Sequence, residues 1–310
     1  MWSKKGVLFH VDHYNDWMIS HACVPTALQI DRDTIRVYYA PRNSKGKSVP
    51  TYFDVDANNP ATVKYFHGQP ILELGELGTF DDDGIMPCSA VRVSETKIYL
   101  YYVGWNPSVS VPYRNAIGLA ISHDNGKTFE RAFQGAIVER NKTEPFFTAS
   151  PYVIKEEGKW HLWYASSTGF VIVNGKPEPL YEIKYAHSTD GIEWVRTNIT
   201  CIPPAEKYQC TARPTVIQED GIYKMWFTYR GSFDYRDGNE SYEIGYAESS
   251  DAIHWERNDA KSGITLSASG WDSTMQTYPS VIQIGAKKYL FYNGNGFGKT
   301  GIGWAEWIIK

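Results

Sequence analysis

The chain has 310 residues, with 31 Lys and Arg against 35 Asp and Glu, a formal net charge of −4, and 15% aromatic residues. No Lys/Arg run stands out, which argues against nucleic-acid binding. No apolar run reaches 18 residues, which argues against a membrane-spanning helix.

The N-terminal stretch Gly6-Val7-Leu8-Phe9 reads as a strand with no hairpin partner of its own. His10, Asp12 and His13 interrupt it at once, so it does not read as a signal peptide, and the expected compartment is the cytoplasm. Four cysteines, Cys23, Cys88, Cys201 and Cys210, form no Cys-x-x-Cys pair. They read as reduced, buried thiols, with no zinc site and no cofactor implied.

From Val24 onward a repeat organises the chain. Five segments share a proline, a β-rich run, a polar turn and an aromatic-rich run. They begin at Val24, Met86, Ser150, Arg213 and Tyr278, and their prolines are Pro25, Pro87, Pro151, Pro214 and Pro279. The prolines are 62, 64, 63 and 65 residues apart, a period long enough for one propeller blade. Proline lacks an N–H, so it suits a strand start. Glu219-Asp220-Gly221 between two apolar runs is a hairpin signal.

A second motif follows three of the hairpins. It reads Ile117-Gly118-Leu119-Ala120 with Ser122, Asp124 and Gly126, and recurs from Ile183 and from Ile244 with Ser188 and Asp190, then Ser249 and Asp251. Short polar side chains at this spacing close a tight turn by bonding nearby backbone. The first unit lacks the turn and carries Tyr52 to Asp56 instead. The last unit stops after a third strand, Gly301 to Ala305. The expectation is one all-β domain over residues 1–310: a five-bladed propeller of four-stranded antiparallel blades, closed by the N-terminal strand in blade 5. Closure would remove sheet edges.

In such a ring, residues at equivalent strand ends converge on the axis. The candidate ligand-binding residues are His21, Arg42, Trp105, Glu182, Arg213, Arg230, Trp271, Gln276 and Tyr278. Carboxylates grip hydroxyls and aromatic faces stack on sugar C–H surfaces, so the set suits a carbohydrate. Arginine forks match carboxylates and phosphates, so Arg42, Arg213 and Arg230 suggest an anionic sugar. Glycosidic-bond chemistry needs two carboxylates, for which Asp83 and Glu144 are the first candidates and Asp12 and Glu243 the reserves. The glycine-rich Asn293 to Gly298 is followed by a strand pattern, so it does not read as a phosphate loop.

The five proline-started hairpins, the Ser/Asp turns and the segments GTFDDDGIMP from Gly78 and YEIGYAESSDAIHWER from Tyr242 carry a resemblance. The chain resembles the five-bladed propeller glycosidases: the arabinanase and xylosidase, invertase and levansucrase, and mannoside phosphorylase families. The resemblance implies a carbohydrate-active enzyme, glycosidase or transglycosylase, with its site on the axis. At the places where the arabinanase-like families carry their catalytic acids, this chain has Val24, Ala149 and Ala212. The alternative is therefore a non-catalytic sugar-binding propeller.

Overall fold

The computed structural model describes residues 1–236 and 238–308. β1 (Trp2–Phe9) opens the chain. Blade 1 follows as β2 (Ser20–Asp31), β3 (Thr34–Arg42), β4 (Thr51–Asp56) and β5 (Val63–Phe66). Blade 2 is β6 (Gly84–Arg92), β7 (Ile98–Pro107), β8 (Tyr113–Ser122) and β9 (Glu130–Arg131). Blade 3 is β10 (Thr148–Glu156), β11 (Lys159–Val173), β12 (Lys176–Ser188) and β13 (Val195–Ile202). Blade 4 is β14 (Cys210–Glu219), β15 (Ile222–Arg230), β16 (Glu243–Ser249) and β17 (Glu256–Arg257). Blade 5 is β18 (Thr277–Ile284), β19 (Lys287–Asn293) and β20 (Ile302–Trp307), completed by β1. The fold is the five-bladed β-propeller that the repeat implies. Among the described residues, no helix is long and apolar enough to cross a membrane.

β1 pairs antiparallel with β20, from Trp2 opposite Trp307 to Phe9 opposite Ile302. This supplies the strand that blade 5 lacks. A second clasp joins blades 5 and 1 near the axis. Asn293 Oδ1 accepts the Val24 N–H at 2.9 Å, and its Nδ2 donates to the carbonyls of Ala22 and Gly301, both at 2.7 Å.

The turns follow their residue types. Asp220 and Gly221 sit at φ 54° and 77°, the left-handed pair of a two-residue hairpin turn. In the Ser/Asp turns, Asp190 Oδ1 accepts the N–H groups of Ile192 and Glu193 at 2.8 and 2.9 Å. Asp251 repeats that geometry one blade after, and Asp124, one blade before, accepts from Lys127 and Thr128, one residue further along.

Apolar clusters fill the wedges between neighbouring blades. One joins Val37 and Phe53 of blade 1 to Tyr289 and Trp304 of blade 5, and another joins Trp163 and Tyr185 of blade 3 to Met225 and Phe227 of blade 4. A further cluster lies on the axis and includes Cys23, Cys88, Phe147, Tyr181 and Cys210. All four cysteines are buried and unpaired.

The feature that shapes the site is a repeated bulge. The first strand of each blade shifts register at its proline: between Cys23 and Thr26, Pro87 and Ser89, Ala149 and Tyr152, Ala212 and Thr215, and Thr277 and Ser280. Val24, Ser150, Arg213 and Tyr278, each preceding its proline, hold φ between 49° and 58°. Such a conformation is costly for a residue with a Cβ, and bulges re-aim side chains. Here the bulges direct Val24, Ser150, Arg213 and Tyr278 to the axis; in blade 2 the shift falls one step later, at Cys88.

Candidate functional site

A cavity of about 400 Å³ lies among the five first strands. Val24, Met86, Ser150, Arg213 and Tyr278, the five residues before the prolines, all line it. Of the expected ligand-binding residues, His21, Arg42, Trp105, Arg213 and Tyr278 face this space. Among its described lining residues none is Asp or Glu, while His21, Arg42, Arg213 and Arg236 are all present.

Arg213 dominates the electrostatics. Its side chain is 1% exposed. The guanidinium donates to the Cys88 carbonyl, to the Pro25 carbonyl at 2.9 Å and to Thr26 Oγ1 at 3.0 Å. Its Nε has no partner. No carboxylate pairs with it among the described residues, and burial pulls its pKa down. Taking an ion out of water without a counter-charge costs several kcal/mol. Arg42, half-buried at the end of β3, adds a second guanidinium near the Cys23 thiol, whose pKa burial pushes up to about 11.

His21 stands in the same wall with φ 61°, and its Nδ1 lies 2.8 Å from Ser20 Oγ. Burial, followed by the charges of Arg42 and Lys299, lowers the imidazole to about 4. It is therefore neutral at pH 7. Between its ordinary value of 6.5 and about 4, the unfolded state binds a proton that the folded state refuses. The stability contributed by neutral His21 is present above pH 6.5 and is lost as the pH falls toward 4. His21→Asn, a residue that tolerates positive φ, should flatten that decline in urea titrations at pH 7 and pH 4.5. Wild-type and variant stabilities that fall in parallel would contradict this.

The remaining expected residues lie elsewhere. Arg230 is buried behind the cavity wall with its donors spent. Its Nε reaches Tyr181 Oη at 2.9 Å and Tyr242 Oη at 3.2 Å, and the other nitrogens bond Gly231 O, Ser232 Oγ and Pro179 O. It positions two tyrosines that do line the cavity. Glu182 accepts from Thr200 Oγ1 at 2.6 Å. Gln276 donates to Asp272 at 2.8 Å, and Trp271 packs on Tyr292 with ring centroids 4.9 Å apart.

The four carboxylates expected to act on a glycosidic bond do not share one space, and none lines the central cavity. Asp83 pairs with Lys47. Glu144 is 2% exposed and accepts from Tyr164 at 2.9 Å and Ser166 at 2.7 Å, with Arg196 at 3.8 Å. Asp12 is exposed beside His13. Glu243 faces a second cavity in blade 4.

Sequence reasoning overlooked Asn115, Tyr181 and Tyr242, which occupy equivalent places on or just before the third strands and line the central cavity. The signal was present in the Tyr-Glu-Ile triplets 181–183 and 242–244. Successive residues of a strand face opposite ways, so the tyrosine and the glutamate of each triplet cannot both face the axis. Tyr113, Phe147, Tyr235 and Phe297 add further rings. Burial, in the main, raises the phenols of Tyr113, Tyr181, Tyr235 and Tyr278, which are neutral at pH 7.

No protein-family model matches the sequence. Two relatives from Mycobacterium tuberculosis do: the uncharacterised proteins MT1551, from strain CDC 1551, and Rv1502, from strain H37Rv. Each is 35% identical over 305 residues, covering 98% of this chain and 98% of its own. This protein belongs to their family.

Solved structures carry the same architecture. BT0996, described in a complex with RGII, superposes with a TM-score of 0.73 at 13% identity, over 99% of this chain and 91% of its own. A thermostable family-43 glycoside hydrolase gives 0.67 at 15%, over 97% and 94%. A protein of the GH130 family of mannoside phosphorylases, described as containing hydrolases for β-1,2 mannosidic linkages, gives 0.66 at 14%, over 99% and 93%. These neighbours share the five-bladed propeller. At such identities the likeness establishes the fold, and function must be argued from the site.

Proposed function

We propose that this protein is carbohydrate-active and that its central cavity takes a saccharide carrying a carboxylate or phosphate. The observation that carries the reading is Arg213: a buried guanidinium in the cavity wall with an unpartnered Nε and no carboxylate beside it. An anionic ligand supplies the missing counter-charge, and Arg42 extends the cationic surface. The tyrosine-rich wall offers flat faces for a sugar ring and neutral hydroxyls for its oxygens. The saccharide class is supported by the propeller neighbours, which are described as glycoside hydrolases and mannoside phosphorylases.

Titration calorimetry against glucuronate, glucose 1-phosphate, a nucleotide sugar and glucose tests this. At least one anionic member should bind ten or more times tighter than glucose, and its affinity should fall with added salt. Equal affinity for neutral and anionic members at every salt concentration would sink the assignment.

Action on a glycosidic bond, by hydrolysis or transfer, is the second reading, and the place of His21 in the cavity wall favours it. The unprotonated imidazole is a weak base on its own, and a bound anion beside it would raise its proton affinity toward the working pH. Asp83 and Glu144 are already committed to Lys47 and to Tyr164 and Ser166. Turnover read by NMR over a panel of anionic glycosides should then fall in His21→Asn with binding retained. Turnover lost in Asp83→Asn and Glu144→Gln but unchanged in His21→Asn would return the chemistry to the carboxylates.

A further inference from the structure

A second cavity of about 260 Å³ lies against blade 4. The segment Ser241-Tyr242-Glu243 divides it from the central one: Tyr242 faces the axis, while Ser241 and Glu243 face the second space. That split is the alternation of an extended strand. Residues between the second and third strands of blade 4 rim both spaces, with Tyr235 and Arg236 on the central side and Phe233 and Glu240 on the other.

Two polar groups in this second space lack partners. Ser241 is 8% exposed, and its hydroxyl is buried without a hydrogen bond. An unsatisfied buried hydroxyl is costly, so native structures rarely keep one without reason. Glu243 is half-buried, and its carboxylate makes no hydrogen bond within the described residues. Burial, with Asp259 nearby, raises its pKa. Tyr208 and Phe233 pack edge to face at 5.4 Å on the rim. Two cationic side chains line the wall: Arg230, whose donors are occupied, and Lys207, whose ammonium lies 4.8 Å from the centre of the Tyr208 ring.

We infer that this cavity is a second saccharide subsite, which holds a neutral sugar unit through Ser241 and Glu243 beside Tyr208. A carboxylate at the start of β16 and a hydroxyl two residues before it suit the paired hydroxyls of a polyol. Three carboxylates, Glu206, Glu240 and Glu243, line this space against Lys207 and the occupied Arg230, whereas no carboxylate lines the central cavity among the described residues, so the two sites sort anionic from neutral units. The inference rests on the central assignment only in treating the two units as parts of one ligand.

Saturation-transfer NMR with methyl glucoside, methyl mannoside and methyl galactoside tests it, each measured with and without saturating glucuronate. At least one neutral glycoside should keep its signal when glucuronate is present. Ser241→Ala and Glu243→Gln should each weaken it by roughly tenfold, and Arg213→Met should leave it unchanged. Thermal unfolding of the two subsite variants near the wild-type midpoint confirms that they fold. Displacement of every neutral glycoside by glucuronate, absence of any neutral signal, or binding of glucosamine alone would overturn the inference. Arg213→Met read against glucuronate fails or succeeds independently, so loss of the central assignment is distinguishable from loss of this one.

Discussion

Arg213→Met should abolish most of the affinity for an anionic saccharide while leaving a neutral counterpart nearly unaffected. Truncating one partner of a buried charge pair costs about 2–5 kcal/mol, which is about 30-fold or more in Kd. The methionine fills similar length without charge, so the cavity shape is largely kept. The carbonyls of Cys88 and Pro25 and the hydroxyl of Thr26 lose a donor, so the unliganded variant unfolds at a lower temperature. The decisive reading is therefore the ligand-induced shift. A ligand that binds only the folded state raises Tm by mass action. The wild type should show that rise with the anionic ligand, and Arg213→Met should not. Equal loss of charged and neutral ligands in the variant would mean that Arg213 only braces the inner strands.

Trp2→Ala should produce the largest loss of stability of any single substitution at the closure. Trp2 is 5% exposed, and its ring meets Trp226 at 5.6 Å and Trp307 at 5.1 Å, both edge to face. It thereby joins the N-terminal strand to blades 4 and 5. Its backbone N–H also donates to Gly263 at 2.9 Å. Removing a buried Trp side chain costs about 3–5 kcal/mol. Here the loss also loosens β1 and exposes the edge of β20, so the variant should aggregate more readily. Urea denaturation gives the stability and light scattering the aggregation, and Trp2→Phe should lie closer to the wild type in both. A wild-type midpoint in Trp2→Ala would mean that the ring stays closed without this contact.

The architecture was readable because its physical causes are local. A proline that must begin a strand, a hairpin turn such as Asp220-Gly221, and Asp190 bonding the N–H groups just after it each act within a few residues. Repeated along the chain, they specify blades, and the missing fourth strand of blade 5 leaves only the N-terminus to complete it. The same periodicity announced that the pre-proline residues meet at the axis, which Arg213 and Tyr278 do.

What the residue order could not disclose is the phase of each strand and the partner of each charge. Whether Tyr181 or Glu182 faces the axis depends on how the third strand registers against the second, where Ser166 stands opposite Glu182 and Ser167 opposite Tyr181. A shift of one residue would exchange every such pair. The charges are settled over still longer distances. Asp81 meets Arg131, Glu144 meets Arg196, and Glu178 meets Arg236, contacts made only once the blades and loops have packed. Asp81 and Glu144 are thereby held away from the centre, Glu178 neutralises Arg236 in the wall, and Arg213 is left without a carboxylate. Sequence therefore determines the ring and the positions that look into it. The sign of the charge in the cavity is a tertiary property, because it depends on which ions find partners elsewhere.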